Sequence, residues 1–273
     1  MMRNLVVGFL ALLLGPTTAL AACGPQDVRD FLALALPSGG DPVETALKLA
    51  YPGTDLDLAA AVLHLPDGGQ VPYAPARDIG AAARLDGATL GDQFVYPYPL
   101  DFDLTARQTP FMDPGRTRNE AFFRALYFND AAAARDSLVT VRHAGASFQM
   151  TTKHCVDQQL AAAFAAIAAL PEPTAVYFSN IGGSFNWRVI AGTDRLSSHS
   201  FGAALDLNSD LGGYWRWAGV PEGQAGTYDN NYPAALVQAM ERYGFIWGGK
   251  WHHYDGMHFE YRPELILYAR LTD

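Results

Sequence analysis

Two segments near the C-terminal end of this 273-residue chain place histidines and aspartates at spacings that suit metal chemistry. In the first, Ser-x-His-x-x-Gly-x-Ala-x-Asp at residues 197–206, His199 lies in a loop and Asp206 lies on a predicted buried strand. In the second, His258 lies on another predicted strand, three residues after Asp255. A buried aspartate needs a partner. A metal ion held by two imidazoles and one carboxylate, with a fourth position open to water, would satisfy these placements, and that arrangement is typical of a catalytic zinc site.

Other candidate metal ligands are less well placed. His64 lies in an apolar run, and His143 and His154 flank a predicted strand and helix without an acidic partner at ligand spacing, so we interpret all three as structural. The two cysteines, Cys23 and Cys155, do not have the spacing of a zinc finger. Any metal site must therefore be built from histidines and carboxylates.

The combined pattern resembles the zinc D-alanyl-D-alanine carboxypeptidase family, which also contains the L-alanyl-D-glutamate endopeptidases of phage and bacterial spores. Its pieces occur in order over residues 184–260. They are Phe-Asn-Trp-Arg, the Ser-x-His-x-x-Gly-x-Ala-x-Asp segment, Trp-Gly-Gly-x-Trp and Asp-x-x-His-Phe. Any one piece could occur by chance, whereas their combination in this order is specific.

The resemblance implies the roles of five residues. It implies one zinc ion per chain, bound by His199, Asp206 and His258, together with a general base at Asp255 and an active-site arginine at Arg188. It also implies a peptidase that hydrolyses a peptide bond in the peptidoglycan stem, as a D,D-carboxypeptidase or as an endopeptidase. The expected substrate is a stem peptide or muropeptide, and the expected nucleophile is a zinc-activated water.

Each predicted role has an alternative. Asp255 would take a proton from the attacking water, or it would only cap a strand. Arg188 would bind the substrate carboxylate or stabilise the oxyanion of the tetrahedral intermediate, or it would form a surface ion pair. At the level of the whole protein, the alternatives are a zinc amidase acting on other small peptides and a non-catalytic wall-binding module that keeps the fold.

The chain departs from the family pattern close to its last motif. Lys250 stands within Trp-Gly-Gly-x-Trp where the family often has an acidic residue, which predicts a pocket rim with a different substrate preference. His252 and His253 lack the family spacing and are interpreted as loop residues rather than ligands. Trp247 and Trp251 either wall the cleft or belong to the core.

The elements that must position these residues indicate an α+β fold. The resemblance implies that a small antiparallel sheet with flanking helices carries the zinc site. We expect a zinc metallopeptidase domain at residues 146–273, preceded at residues 23–145 by a mixed helix and loop region of unknown role. Periodicity and turn signals predict helices near 26–37, 42–50, 117–128, 152–170 and 232–243, and strands near 137–142, 175–178, 203–207 and 257–261.

The first 22 residues have the layout of a secretory signal peptide. Arg3 precedes an apolar run at residues 5–14 and a small-x-small cleavage pattern at residues 19–21. We therefore expect export to the periplasm or the extracellular space. Residues 20–23, Leu-Ala-Ala-Cys, also resemble a lipobox, so Cys23 either carries a lipid anchor or pairs with Cys155.

Composition limits the partners. The chain has 19 lysine and arginine residues against 28 aspartate and glutamate residues, a formal net charge of -9. Such a chain lacks the basic surface that binds nucleic acid, so nucleic acid is not an expected partner. No other apolar stretch approaches the roughly 20 residues of a membrane span.

Overall fold

The structure, a computed structural model, describes residues 23–273 of the chain. These residues form three small antiparallel sheets flanked by helices, which confirms the predicted α+β class. Within the described part, no helix has the length and apolar character needed to cross a bilayer. The predicted signal peptide at residues 1–22 lies outside the described residues.

The regular elements are short and alternate along the chain. The α-helices are α1 (Pro42–Ala50), α2 (Ala81–Asp86), α3 (Glu120–Leu126), α4 (Ala131–Asp136), α5 (Val156–Ala168), α6 (Ser209–Gly212), α7 (Ala234–Arg242) and α8 (Pro263–Thr272). The strands are β1 (Asp55–Asp57), β2 (Val62–His64), β3 (Gln70–Pro72), β4 (Leu138–His143), β5 (Ala146–Thr151), β6 (Ile181–Gly183), β7 (Ala204–Asn208), β8 (Phe245–Trp247) and β9 (His258–Tyr261).

The largest sheet has the strand order β6-β7-β9-β8 and is antiparallel throughout. Successive residues of a strand point to opposite faces. Leu205 and Leu207 of β7 and Phe259 of β9 are fully buried in the core. The alternate positions carry Asp206 and His258, which lie directly opposite each other in the β7–β9 register.

Residues from both predicted regions share one hydrophobic core. Its buried members include Phe31, Leu47 and Phe122 from the N-terminal region, and Leu236 and Ile266 from the C-terminal region. Helix α1 packs against helix α8, so the beginning and the end of the described chain lie together. The division of the chain near residue 145 stays a prediction.

Cys23 and Cys155 form a disulfide bond that links residues 132 positions apart. This is one of the two predicted fates of Cys23. A sulfur in a disulfide cannot carry the thioether of a lipid in the same molecule. The bond ties the start of the described chain to the residue that caps helix α5.

The helix predicted over residues 26–37 is wrong, because only a one-turn 3-10 helix at Pro25–Asp27 forms there. The backbone groups that follow find tertiary partners instead of helical ones. The Arg29 N–H donates to Oε1 of Gln159 at 2.9 Å, and the Phe31 N–H donates to the carbonyl of Arg242 at 2.7 Å. Hydrogen bonds of this kind satisfy buried backbone groups without a helix.

The strand predicted over residues 175–178 is also wrong, since Ala175–Phe178 is a 3-10 turn. Val176 is half exposed and Phe178 alone is buried, so the segment does not present one regular face to the core. The sheet edge begins a little later, at β6. The other predicted helices and strands are present, with ends that differ by a few residues.

Candidate metal centre and active-site cleft

Three side chains converge on one face of the β7–β9 pair, the face that carries Asp206 and His258. Nε2 of His199 lies 3.2 Å from Nδ1 of His258 and 3.3 Å from Oδ1 of Asp206. Nδ1 of His258 lies 2.9 Å from the same carboxylate oxygen. The structure thus brings together the three residues predicted as metal ligands, and their ligand atoms form a compact triangle.

The triangle has the size of one face of a zinc coordination shell. Ligand atoms about 2.0 to 2.1 Å from a tetrahedral ion lie about 3.3 Å from one another. The three observed separations, 2.9 to 3.3 Å, match that spacing. Two imidazole nitrogens and a carboxylate oxygen are also a donor set that zinc prefers.

A tight turn presents His199 to the triangle. The residue lies in a 3-10 turn, Ser198–Phe201, which ends at Gly202 with a φ of 66°. A side chain at Gly202 would be strained by that φ and would meet the Thr151 backbone nitrogen at 2.9 Å. Nδ1 of His199 donates to the Ser184 carbonyl at 2.5 Å, which leaves Nε2 facing the other two ligands.

Glu260 orients the second histidine, a role that sequence reasoning missed. Residues two apart on a strand share a face. Accordingly, Nε2 of His258 lies 3.2 Å from Oε2 of Glu260, and Nη1 of Arg262 lies 3.1 Å from Oε1 of Glu260. Metal-bound histidines commonly donate their second ring nitrogen to a carboxylate. The spacing His-x-Glu on a predicted strand was the available signal.

The ionisable side chains of the cluster shift one another's pKa values. Burial opposes charge on His258, but hydrogen bonds to Asp206 and Glu260 prevail and raise the pKa of His258 to about 10. Burial likewise opposes ionisation of Asp206, yet the charge of His199 and hydrogen bonds from both imidazoles lower the pKa of Asp206. Despite its burial, Glu260 has a pKa lowered to about 2 by the hydrogen bond from His258 and the charge of Arg262.

Asp255 lies in the same cleft but outside the donor triangle. The His258 N–H donates to the Asp255 carbonyl at 3.1 Å, so the two residues are the ends of one turn. The Asp255 N–H donates to the Gly248 carbonyl at 3.0 Å, which fixes the backbone. Burial raises the pKa of Asp255 to about 6, against the opposing charges of His258 and Arg116.

The triangle and Asp255 line a cavity of about 470 Å³. Five arginines line it as well: Arg116, Arg118, Arg188, Arg195 and Arg216. They are a large share of the 19 basic residues in a chain of net charge -9. Five carboxylates also line the cavity: Asp86, Asp206, Glu222, Asp255 and Glu260. The lining is therefore of mixed charge, and an anionic ligand would be bound by a guanidinium group that is exposed to it, in a two-point contact.

Arg188 borders the cavity as predicted from the sequence, and its side chain is exposed. The Arg188 N–H donates to Oγ of Ser200 at 3.0 Å, and the Arg188 carbonyl accepts from the Ser197 N–H at 2.9 Å. These bonds tie the arginine's backbone to the turn that carries His199. The side chain is therefore anchored at its base and free at its tip.

Arg116, a residue from the N-terminal region, also reaches the cleft. It ends a turn, Asp-Pro-Gly-Arg at residues 113–116, in which a Cβ at Gly115 would meet the Trp251 ring at 2.1 Å. Nη2 of Arg116 lies 3.7 Å from Oδ2 of Asp255. Proline and glycine in this segment are typical of a turn, but no local spacing indicates that the turn faces the active-site residues.

Lys250 does not lie at the pocket rim, so that expectation is wrong. Nζ of Lys250 lies 2.6 Å from Oε1 of Glu241, and both side chains are fully buried. The ammonium also donates to the carbonyl of Pro99 at 2.7 Å, and the Tyr98 hydroxyl donates to Glu241 at 2.5 Å. Lys250 thus anchors the N-terminal region instead of selecting substrate.

The remaining candidates are two tryptophans and two histidines, and the structure places each of them. Trp251 lines the cavity, whereas Trp247 is fully buried in the core. His253 is held by Asp113, with Nδ1 2.6 Å from the carboxylate, and Nδ1 of His252 lies 2.8 Å from a backbone carbonyl. Neither histidine joins the candidate ligand cluster within the described residues, in agreement with their interpretation as loop residues.

Residues 191–261 match a family model described as D-alanyl-D-alanine carboxypeptidase. The matched segment includes His199, Asp206, Asp255 and His258 and stops short of Arg188. The match supports a likeness of this segment to the peptidoglycan metallopeptidases. No curated protein and no solved structure matches the chain significantly. The metallopeptidase assignment therefore stands on the segment that holds the donor triangle.

Proposed function

We propose that the protein is an exported zinc-dependent peptidase that hydrolyses a peptide bond in the peptidoglycan stem, as a D,D-carboxypeptidase or as an endopeptidase. The observation that carries the proposal is the donor triangle of His199, Asp206 and His258, which lines the same cleft as Asp255. The family match supports a metallopeptidase in general. Export, the choice of zinc and the bond that is cut belong to the proposal.

His199, Asp206 and His258 would hold the metal through Nε2, one carboxylate oxygen and Nδ1. A zinc ion in that position supplies an acidified water and polarises the scissile carbonyl. For each imidazole, the protein supplies an acceptor for the ring nitrogen that would not face the metal. The Ser184 carbonyl accepts from Nδ1 of His199, and Glu260 accepts from Nε2 of His258.

Asp255 is the proposed general base. Its carboxylate would take a proton from the attacking water and return it to the leaving amine. Because burial raises the pKa of Asp255 to about 6, the group would exchange a proton more readily near neutral pH than an ordinary aspartate would. The side chain is 22% exposed, so the carboxylate is open to the cleft.

Arg188 is the proposed contact for the negatively charged part of the substrate. Its exposed guanidinium would bind a substrate carboxylate or face the oxyanion that develops at the scissile carbonyl. Stem peptides carry several carboxylates. The exposed position of Arg188 at the cavity supports a substrate that carries a carboxylate.

The wall-binding module is the less favoured function. A module that only binds has no chemical need for a carboxylate beside its metal ligands, whereas Asp255 shares the cleft with the triangle. The zinc amidase alternative uses the same residues and differs in the bond that is cut. Only the products distinguish it from a peptidase.

The proposal is tested by digestion of purified muropeptides with the zinc-loaded protein. Mass spectrometry identifies the released amino acid or peptide, and a parallel digestion contains a chelator. We expect chelator-sensitive release of D-alanine or of a stem fragment, with about one zinc per chain in the active protein and loss of zinc in His258→Ala. Zinc-loaded protein that binds muropeptides without cutting them would show a binding module instead.

A further inference from the structure

Arg116 enters the cleft from a part of the chain that the family match does not cover. Three contacts fix its guanidinium group. Nε of Arg116 donates to the His253 carbonyl at 2.9 Å. The guanidinium carbon lies 5.3 Å from the ring centre of Trp251 and 5.8 Å from that of Tyr214. Such cation–π contacts hold an arginine in a defined orientation.

The orientation leaves one end of the group facing Asp255. Nη2 of Arg116 makes no hydrogen bond within the described residues and lies 3.7 Å from Oδ2 of Asp255. The two side chains are similarly open to the cleft, 20% and 22% exposed. Among the described residues, Arg116 is the cation in ion-pair contact with this carboxylate.

The need for such a partner follows from how Asp255 is held. Its backbone N–H and carbonyl are bonded to Gly248 and His258, so the main chain is fixed. The side chain can still rotate about its two torsions. A base that is misplaced by about 1 Å can lose on the order of a hundredfold in rate. A neighbouring guanidinium would remove that freedom.

We propose that Arg116 is a positioning residue that holds the Asp255 carboxylate in the orientation required for proton transfer. The inference rests on the proposed function, in which Asp255 is the general base. It assigns a role to the N-terminal region, because this region completes the active site. Arg116 acts through Asp255 and is separate from Arg188, which would contact the substrate itself.

A double-mutant cycle tests this role. The variants are Arg116→Ala, Asp255→Asn and the combination, with Arg135→Ala as the control because Arg135 is exposed on α4 and lies outside the cavity. We expect Arg116→Ala to lower kcat by about tenfold to a hundredfold with little change in KM. In the Asp255→Asn background, the same change should cost almost nothing further, because coupled residues are non-additive.

Two results would overturn the role. If Arg116→Ala raises KM and spares kcat, the arginine contacts substrate directly. If the two losses multiply in the double variant, Arg116 does not act through Asp255. Zinc content and the thermal midpoint should stay near wild type, and Arg116→Gln allows the same measurements if the alanine variant folds poorly. Recovery of kcat on adding guanidinium below denaturing concentrations would support a positioning role.

A structural measurement separates this proposal from the proposed function. Crystal structures of the wild type and of Arg116→Ala should differ in the position of the Asp255 carboxylate, whatever the activity. An unmoved carboxylate refutes the positioning role, even in an active peptidase. Wild-type protein that cuts no muropeptide refutes the proposed function, while a displaced carboxylate would still support the contact.

Discussion

Metal binding should release a proton from His258 far above the usual imidazole range. Nδ1 of His258 faces Asp206 and Nε2 faces Glu260, so both protons of an imidazolium have a carboxylate acceptor. These contacts raise the pKa of His258 to about 10. A metal ion needs the lone pair of Nδ1 and must displace that proton.

The size of the effect follows from the difference between pH and pKa. At pH 7, a pKa of about 10 means that roughly one site in a thousand is ready to bind metal, a penalty of about 4 kcal/mol on the apparent affinity. For each pH unit up to that pKa, the fraction of sites ready to bind metal rises about tenfold and the penalty falls by about 1.4 kcal/mol. With an ordinary histidine pKa of about 6.5, the affinity would instead level off above pH 7.

Zinc titrations against a competing chelator over pH 6 to 9 would measure the affinity, and calorimetry in buffers of different ionisation enthalpy would count the protons released. A bound water can also lose a proton near pH 7. The variant Glu260→Gln controls for this, because it removes one carboxylate partner of His258 and leaves the three ligands in place.

The wild type should release more protons per ion than Glu260→Gln near pH 9, by a sizeable fraction of one. Equal proton release in the two proteins would refute the reasoning, as would an affinity that stops rising above pH 7.

The raised pKa of His258 also makes the folding stability of the protein without bound metal depend on pH. A raised pKa contributes stability that is complete below about pH 6.5 and is lost as the pH rises towards 10.

Four further changes have defined outcomes. Asp255→Asn should keep its zinc and lose at least about a hundredfold in kcat, whereas zinc loss by metal analysis would make it a ligand. Arg188→Ala should lower kcat/KM by about tenfold or more in muropeptide kinetics, and a change within about twofold would dismiss both of its roles. Lys250→Met should cost about 3 to 5 kcal/mol in urea unfolding, because it leaves Glu241 buried without its partner; simultaneous Glu241→Leu should recover most of the loss. Cys155→Ser should lower stability by about 2 to 4 kcal/mol in the same assay, while an unchanged stability would indicate that Cys23 is not bridged in the native protein.

The candidate metal ligands could be selected from the sequence because the patterns that mark them lie within short segments. A histidine in a turn, an aspartate seven positions later and a second histidine three residues after an aspartate are patterns within short segments. The strands that carry Asp206 and His258 also follow from short-range alternation of apolar residues. These features depend on neighbouring residues, and the structure retains the strands with small shifts at their ends.

What surrounds the ligands was decided by tertiary structure. The β7–β9 register places Asp206 opposite His258, although the two residues are far apart in the chain. Lys250 was misplaced by sequence reasoning, because its burial depends on Glu241 from another helix and on backbone carbonyls of the N-terminal region. A charged residue is placed at the surface by default, and only its partners show otherwise.

Arg116 is a second residue whose position could not be predicted from the sequence. The turn at residues 113–116 is visible in the sequence, since proline and glycine specify it locally. Its position beside Asp255 depends on the packing of Gly115 against Trp251, which belongs to the matched segment. Short-range patterns therefore determine which residues can bind a metal, whereas packing between distant segments determines which charges surround them, because no local spacing encodes a contact across the core.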